Sequence, residues 1–154
     1  MNDVAASHPI VSRHEMADET WLHFPNIVPN VAIIRATTAD TNGNLTYEHE
    51  GAYLGGLDQA IAVRNHGGVV IAQVKRVTDA NSLRPHDVRV PGHLVDYIVL
   101  DPEQKQTTET QYDPVISGEI MRTWDSFALA EYNIEKIIAR RAAMELQSLS
   151  LIHI

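Results

Sequence analysis

The sequence predicts an α/β fold built on an open, mainly parallel sheet with flanking helices, and two observations lead to that prediction. Apolar, β-branched runs begin near Val31, Val69 and Leu94, and each is short enough to be one buried strand. Between the first two runs, residues 52–65 carry apolar side chains at helical spacing. A strand, a helix and a strand in that order predict a βαβ unit with parallel strands and a right-handed crossover.

The amino-terminal residues show less order. Residues 1–20 mix small, polar and acidic side chains without a sustained period, which predicts a loosely ordered lead-in. Apolar residues then return between Trp21 and Ile27, interrupted by Pro25 and followed by Pro29. Because proline cannot donate a hydrogen bond to a neighbouring strand, this stretch predicts a short, irregular edge strand.

Residues 30–38 form the first predicted strand of the sheet. Their near-continuous apolar run is typical of a strand that is buried on both faces. The Asn42-Gly43 pair that follows predicts a tight turn, because both residue types tolerate a positive φ. Residues 45–50 alternate only briefly, and the Glu-His-Glu triplet centred on His49 is predicted to be a solvated edge.

A crossover helix is predicted over residues 52–65. Gly55 and Gly56 are expected to weaken that helix by about 1 kcal/mol each relative to alanine. The Gly67-Gly68 pair ends it, because glycine accepts the left-handed conformation that terminates helices. The face packed on the sheet is predicted to contain Leu54, Leu57 and Ile61, with Ala60 and Val63 beside them.

Two further strands are predicted at residues 69–74 and 93–101. The stretch between them, residues 78–92, is polar and contains two prolines, so it predicts an irregular connection. His93 stands where an aliphatic residue is expected to open the last strand.

The composition changes after the third predicted strand. Residues 103–124 are rich in Gln, Thr, Asp and Pro, which predicts an extended linker that lies on a surface. Asp125-Ser126 can cap a helix that runs to about Gln147. The predicted buried stripe of that helix consists of Phe127, Ala130, Ile134, Ile137, Ile138 and Ala142.

The overall composition narrows the possible functions. A formal charge of −8 with few, scattered basic residues argues against a nucleic-acid partner. The absence of cysteine excludes disulfides, thiolate metal sites and a cysteine nucleophile. The chain starts without the cationic and apolar regions of a secretory signal, and it contains no apolar run of about 18 residues. We therefore expect a cytoplasmic protein that does not bind membranes.

Side chains that could carry chemistry are scattered. The eight histidines include no pair at the i, i+4 spacing of a helical metal site, so no metal ligands are predicted. Lys75, Arg76, Arg84 and Arg89 could contact the phosphates of a nucleotide-like ligand, or they could form a solvated strand end. Residue types alone reveal no complete active site.

Five segments of the sequence are distinctive in combination and in their order along the chain. They are VAIIRATTADTNGNLTYE at residues 31–48, IAQVKRV at 71–77, VRVPGHLVDYIV at 88–99, YDPVISGE at 112–119 and KIIARRAAMEL at 136–146. Together they resemble the family I coenzyme A transferases, specifically the single-chain acetate/propionate type, and the resemblance runs from about Trp21 to Leu146.

The resemblance implies a reaction and its participants. Enzymes of that family move coenzyme A (CoA) between an acyl-CoA and a short-chain carboxylic acid through a glutamyl-CoA thioester. The CoA thioester is a substrate, and no bound cofactor or metal is implied. The family's fold has two similar open α/β domains with the site between them, and the full-length enzyme is expected to be a homo-oligomer.

The resemblance also implies that this chain lacks the catalytic nucleophile. In the family, a glycine-rich strand with the nucleophilic glutamate follows the helix matched by residues 136–146, whereas SLSLIHI contains neither. Glu135 and Glu145 belong to the matched helix and cannot take that role. The expectation is a fragment that is inactive alone, and genomic DNA past the Gln147 codon would show whether a glutamate-bearing continuation exists.

Segments of the chain then map onto the family as follows: residues 21–102 to the carboxyl-terminal part of the first domain, 103–124 to the interdomain linker, 125–147 to the first helix of the second domain, and 148–154 to a non-native tail. A non-catalytic CoA-binding module, or a subunit that completes its sheet with the missing parts of the enzyme, is the alternative. Because neighbouring strands would be missing, we expect the fragment to self-associate.

Three polar residues are predicted to contact the substrate or CoA. Asp40, Asn44 and Gln73 lie near the carboxyl ends of the first two strands of the sheet, where open α/β sheets bind their ligands.

Overall fold

A computed structural model describes Val4 and residues 7–146 of the chain. The described residues form two compact units that divide between Glu119 and Ile120. The predicted non-native tail, residues 148–154, lies outside the described residues. Between residues 12 and 146 the strands are β1 (Ser12–Met16), β2 (Glu19–His23), β3 (Val31–Asp40), β4 (Leu45–Thr46), β5 (Val69–Thr78), β6 (Val88–Val90) and β7 (Tyr97–Leu100), and the α-helices are α1 (Gly56–Asn65) and α2 (Ile134–Ala143).

The first unit contains a five-stranded sheet with the order β6-β4-β3-β5-β7. β3, β5 and β7 are parallel, and α1 connects the first two of them, which confirms the predicted βαβ unit. β4 and β6 are antiparallel to their neighbours, so the sheet is mixed. The reason is local: a tight turn after β3 returns the chain along the same edge, and a tight turn can join only antiparallel strands.

The core lies on one face of this sheet. Alternate residues of β3 and β5 stand side by side there, with Ala32 beside Val70, Ile34 beside Ala72 and Ala36 beside Val74. All six are buried, and Ala60 and Val63 of α1 belong to the same cluster. The hydrophobic effect over this contact holds the helix on the sheet.

The opposite face is only partly covered, contrary to the prediction that β3 is buried on both faces. Ile33 is 74% exposed and Tyr97 is 62% exposed. We call this apolar surface the open face, and it consists of Val31, Ile33, Val69, Tyr97 and Val99 on three neighbouring parallel strands. An uninterrupted apolar run in the sequence therefore does not distinguish one covered face from two.

α1 is shorter than predicted and presents a different face to the sheet. It begins at Gly56, because Gly55 is its N-cap with a φ of 67°. Gly55 and Gly56 therefore stand at the start of the helix and not in its interior. Leu54 is 78% exposed, and Leu57 and Ile61 are also exposed, whereas the smaller Gly56, Ala60 and Val63 are the buried residues. Small side chains allow the helix to approach the sheet closely.

The amino-terminal segment contains a hairpin where a loosely ordered lead-in was predicted. β1 and β2 pair antiparallel from Ser12 with His23 to Met16 with Glu19. Ala17 and Asp18 make the turn, both with a positive φ. Two-residue hairpin turns usually contain a glycine, and this one does not. The sequence therefore did not predict a hairpin there.

The connection between β5 and β7 is also more regular than predicted. Pro85–Asp87 form a 3₁₀ turn, and β6 follows it and pairs with β4. A second 3₁₀ turn, Gly92–Leu94, precedes β7, so His93 does not open the last strand. Gly92 packs against the carbonyl of Asn42, where any side chain would overlap it.

Residues 103–119, part of the predicted interdomain linker, are anchored to the first unit by two buried side chains, and their role as a linker stays a prediction. Gln104 and Gln106 are buried. The side-chain amide of Gln104 donates to the Ala36 carbonyl over 2.9 Å, and that of Gln106 donates to the His49 carbonyl over 2.7 Å. We call this segment the clamp. A glutamine-rich composition is typical of a linker, but Gln104 and Gln106 donate hydrogen bonds to backbone carbonyls inside the first unit.

The second unit contains α2, which begins later than predicted. The side chain of Asn133 accepts a 2.8 Å hydrogen bond from the amide of Lys136 and caps the helix there. The predicted cap residues, Asp125 and Ser126, instead belong to a 3₁₀ turn, in which the Ser126 hydroxyl donates to the Thr123 carbonyl. Within the described residues, α2 buries none of its side chains.

Candidate binding site

A pocket of about 540 Å³ in the first unit is the candidate site. β4 and the loop to α1 form one wall, and the segment that leads into β6 forms the other. The pocket exists because β6 pairs with β4 and brings residues 82–89 beside the loop. The lining residues are Thr46, Tyr47, Glu48, Glu50, Gly51, Ala52, Tyr53, Ser82, Leu83, Arg84, Asp87, Arg89 and Ser117.

Two tyrosines and an arginine form a row in this pocket. The Tyr47 and Tyr53 rings meet edge to face with centroids 5.7 Å apart. The guanidinium carbon of Arg89 lies 4.6 Å from the centroid of the Tyr53 ring. Such cation–π contact stabilises the position of a flexible arginine side chain.

The hydroxyl of Tyr47 is buried and has no hydrogen-bond partner among the described residues. Burial, together with the charge of Glu50, raises the pKa of Tyr47 to about 12, so the phenol is neutral near neutral pH. Gly56 accommodates this hydroxyl, since a Cβ at that position would collide with it.

The two glutamates of the pocket wall are each paired with an arginine. Glu48 lies 2.6 Å from Arg76, and Glu50 lies 3.1 Å from Arg35. Burial works to raise the pKa of Glu48, but hydrogen bonds from the Thr38 and Thr46 hydroxyls and from Arg76 hold it below its ordinary value. The predicted solvated edge around His49 was therefore wrong at Glu50, whose side chain is only 8% exposed.

The four basic residues considered for phosphate contact do not form one cluster. Arg84 and Arg89 line the pocket, and neither forms an ion pair among the described residues. Arg76 is paired with Glu48. Lys75 lies 5.6 Å from the ring centroid of Tyr112, away from the pocket.

The side chains of Asp40 and Asn44 are hydrogen-bonded to each other over 2.9 Å. The Asp40 carboxylate accepts hydrogen bonds from the amides of Asn42, Asn44 and Asn81 and from the Asn44 side chain, over 2.9–3.2 Å. Burial works to raise the pKa of Asp40, but these bonds outweigh it and lower the pKa. The side-chain amide oxygen of Asn44, Oδ1, accepts a hydrogen bond from the Gly92 amide over 2.9 Å. Both side chains therefore join loops to one another.

Gln73 lies apart from that pair. Its side-chain amide donates to Asp101 over 3.3 Å and to Gln104 over 3.1 Å, beside the clamp. Contact of Asp40, Asn44 or Gln73 with a substrate stays a prediction. Each of the three already has partners within the first unit.

Sequence reasoning missed Tyr47, Tyr53 and Glu50. The available signal was weak: two tyrosines and two acids follow the turn after a predicted strand. Only the pairing of β6 with β4 places them opposite Arg84 and Arg89. In the part of the chain that the structure describes, no group of three or more His, Asp or Glu side chains could hold a metal ion. No helix among those residues is long and apolar enough to cross a bilayer.

Comparison with known proteins gives a consistent result. A sequence model of the family "Coenzyme A transferase" matches residues 6–101, so the similarity begins earlier than Trp21. The chain is 38% identical over 157 residues to the caffeate CoA-transferase of Acetobacterium woodii, covering 100% of this chain and 30% of that protein. It is 36% identical over 148 residues to the acetate CoA-transferase YdiF of Escherichia coli K12, covering 96% of this chain and 28% of that protein.

A solved structure is also similar to this chain. The acyl-CoA transferase YdiF apoenzyme from Escherichia coli O157:H7 superposes with a TM-score of 0.75 at 37% identity. The match covers 90% of this chain and 26% of that one. The chain thus spans about 30% of the length of the curated relatives it matches.

Proposed function

The chain belongs to the coenzyme A transferase family, and from that premise we propose that it is part of an enzyme that moves CoA between an acyl-CoA and a free carboxylic acid. The observation that carries the proposal is the identity of 38% to a CoA-transferase along the whole chain. The pocket supports it, because about 540 Å³ is within the range of small-molecule binding sites.

The proposed chemistry is covalent catalysis in two half-reactions. A glutamate carboxylate attacks the acyl-CoA carbonyl, which gives a mixed anhydride and releases CoA as its thiolate. The thiolate then attacks the glutamyl carbonyl, which gives a glutamyl-CoA thioester and frees the first acid. A second acid reverses these steps, so the kinetics are ping-pong. CoA is a substrate throughout, and the acids are short-chain carboxylates.

The nucleophilic glutamate is proposed to lie outside this chain. Glu145 forms an i, i+4 ion pair with Arg141, and Glu135 is exposed in the first turn of α2. Among the described residues, neither glutamate lines the pocket of the first unit. The proposal is therefore that this chain is a fragment, supplies the sheet and the pocket, and is inactive alone.

A second candidate function is favoured by the open face. An uncovered apolar surface on three strands suits a subunit, or a CoA-binding module, that completes its sheet with a partner chain. Calorimetry with CoA separates the candidates. A dissociation constant below about 1 µM for this chain alone, an affinity typical of a complete site, favours the module.

The transferase proposal is tested by exchange of segments. The 148 residues of YdiF that align with this chain are replaced by it, and transfer of CoA from acetyl-CoA to propionate is measured. We expect the chimera to be active and the chain alone to be inactive. The control is the chimera with its host nucleophilic glutamate changed to glutamine, which should lose activity.

Two results would contradict the proposal. One is a chimera that folds, by circular dichroism and size-exclusion chromatography, yet transfers no CoA. The other is transfer by the chain alone that persists in the double variant Glu135→Gln, Glu145→Gln, since that would require a different mechanism.

A further inference from the structure

Two guanidinium groups in the pocket lack carboxylate partners. Arg84 forms no ion pair with any described residue, and its side chain is exposed. Arg89 lies over the aromatic face of Tyr53 and forms no ion pair with any described residue. By contrast, the guanidinium groups of Arg35 and Arg76 behind the same pocket each contact a glutamate. A free guanidinium in a concave site can bind an incoming anion without first breaking an ion pair.

The local charge of the pocket is opposite to that of the chain. Its two glutamates are paired with arginines, which leaves Asp87 as the remaining acidic residue of the lining. The remaining charges are two cations and one anion, in a chain whose formal charge is −8. The overall field repels anions, so an anion that binds here does so through these local contacts.

Local contacts restrict the backbone of Arg84 and the side chain of Arg89. Arg84 precedes Pro85 and has an extended backbone, with φ −69° and ψ 123°, as a residue before proline prefers. Arg89 is held over the Tyr53 ring, which in turn meets Tyr47. A positioned guanidinium presents two parallel N–H donors, which match the oxygens of a phosphate group.

From these contacts we propose that Arg84 and Arg89 form a phosphate subsite that binds the nucleotide end of the acyl-CoA substrate. The assignment to acyl-CoA rests on the proposed function, whereas the phosphate chemistry rests on the two arginines. CoA carries a diphosphate and a 3′-phosphate at its adenosine end, and its pantetheine arm carries none. The arginines therefore distinguish the two ends of the molecule.

The test is a set of ligand titrations of the full chain, in which calorimetry or NMR measures binding. The ligands are CoA, adenosine 3′,5′-bisphosphate and pantetheine, and the variants are Arg84→Gln and Arg89→Gln. Arg13→Gln is the matched control, because Arg13 is an exposed residue of β1 that does not line the pocket. Arg89→Lys, which keeps the charge, serves if Arg89→Gln fails to fold.

We expect CoA and the bisphosphate to bind the unsubstituted chain with dissociation constants on the order of 0.1–1 mM, weaker than a complete site. Each glutamine substitution should weaken both ligands about tenfold, the effect of one charge-assisted hydrogen bond. Binding should fall as sodium chloride is raised, and the control should bind both phosphate ligands as the unsubstituted chain does.

Three results would overturn the subsite: no binding of either phosphate ligand, equal losses in the control and in the pocket variants, or displacement of the bisphosphate by an equal concentration of sulfate. These outcomes are independent of the transferase proposal. An active chimera with unchanged binding in the arginine variants rejects only the subsite. An inactive chimera whose arginine variants still lose phosphate binding rejects only the transferase.

Discussion

The Asp40 carboxylate connects several loops of the first unit through hydrogen bonds. It terminates β3 and is almost fully buried. Its four hydrogen bonds join the turn at Asn42–Asn44 to the loop at Asn81, and Asn44 extends the network to Gly92. A buried carboxylate is stable only when such donors replace its water.

The first prediction concerns Asp40→Asn. This change replaces one carboxylate oxygen, which accepts hydrogen bonds from surrounding N–H groups, by an NH₂ group that cannot accept them. We expect the free energy of unfolding to fall by about 3 kcal/mol near pH 7, measured by urea denaturation. The pKa of Asp40 is lowered by folding, so its stabilisation is present above the ordinary value of 3.8 and is lost as the pH falls through the folded value. The difference from the unsubstituted chain should therefore shrink below about pH 4.

Asp79→Asn is the control for that measurement, because the exposed Asp79 follows β5 directly and its carboxylate is not part of the network. Equal losses in the two variants would mean that the network of Asp40 does not stabilise the fold. A loss of CoA affinity in Asp40→Asn without a loss of stability would instead support the predicted substrate contact.

Tyr47 gives a second prediction at the residue scale. Its pKa is raised to about 12, so stability is complete below the ordinary value of 10 and falls as the pH rises through the folded value. Tyr47→Phe should remove this alkaline loss between about pH 10 and 12. It should not lower the melting temperature at neutral pH, because an unpartnered buried hydroxyl costs about 1–3 kcal/mol.

Circular dichroism melts across that pH range make the measurement, and Tyr53→Phe is the control since Tyr53 is 54% exposed. If Tyr47→Phe is as sensitive to high pH as the unsubstituted chain, the buried phenol is not the titrating group.

At the scale of elements, the start of α1 depends on the contact between Gly56 and Tyr47. The side chain of Tyr47 reaches the first helical residue, and no side chain caps the helix. The sequence predicted that this glycine weakens the helix. The structure shows that it makes room for Tyr47, the residue directly after β4. The cost of glycine in a helix is offset by the packing that it allows.

A double-mutant cycle tests this contact. Gly56→Ala alone should destabilise the chain, because its Cβ meets the Tyr47 hydroxyl. In the Tyr47→Phe background the same change should be less harmful or stabilising, since alanine is favoured over glycine by about 1 kcal/mol in a helix. Urea denaturation of the four proteins gives the coupling energy, and additive effects would contradict the contact.

The clamp is the second element whose role depends on tertiary contacts. Arg35 donates to the carbonyls of Lys105 and Gln106, while Gln104 and Gln106 reach backbone carbonyls on the sheet side. These bonds replace the covering helix that an open sheet usually has at such a position.

Gln104→Ala should therefore release the clamp locally. We expect faster amide hydrogen exchange across residues 103–119, measured by mass spectrometry, with little change in β3 and β5. Gln111→Ala is the matched control, because Gln111 is exposed and its side chain makes one 3.3 Å bond to the Glu103 carbonyl. Unchanged exchange in Gln104→Ala would mean that the remaining contacts hold the segment.

At the scale of the whole molecule, the open face leaves apolar side chains of the first unit exposed to solvent. It places five apolar residues together on β3, β5 and β7, and β7 is an edge strand. Exposed apolar surface and unpaired strand edges both promote association.

We expect this chain to self-associate at micromolar concentration, and Ile33→Lys to reduce association, because a charge on this surface resists burial. Sedimentation velocity measures both, and Leu54→Lys is the control, since Leu54 is equally exposed but lies outside the open face. A sharp monomer peak for the unsubstituted chain at every concentration would contradict the prediction.

Family, βαβ order and charge were all readable from the sequence alone. They depend on residues close together in the chain, namely apolar runs, a helical period and sequence segments such as residues 31–48 and 88–99. Local signals failed where a turn had no glycine, as at Ala17 and Asp18, and where a better cap lay downstream, as at Asn133.

Only the tertiary structure decided which polar side chains are hydrogen-bonded to distant parts of the chain and which form no ion pair among the described residues. Asp40, Asn44 and Gln73 are bonded to loops up to 48 residues away, whereas Arg84 and Arg89 face a pocket without ion pairs. Sequence pattern cannot separate these groups, because the partners are distant in the chain and meet only when β6 pairs with β4 and the clamp packs on the sheet.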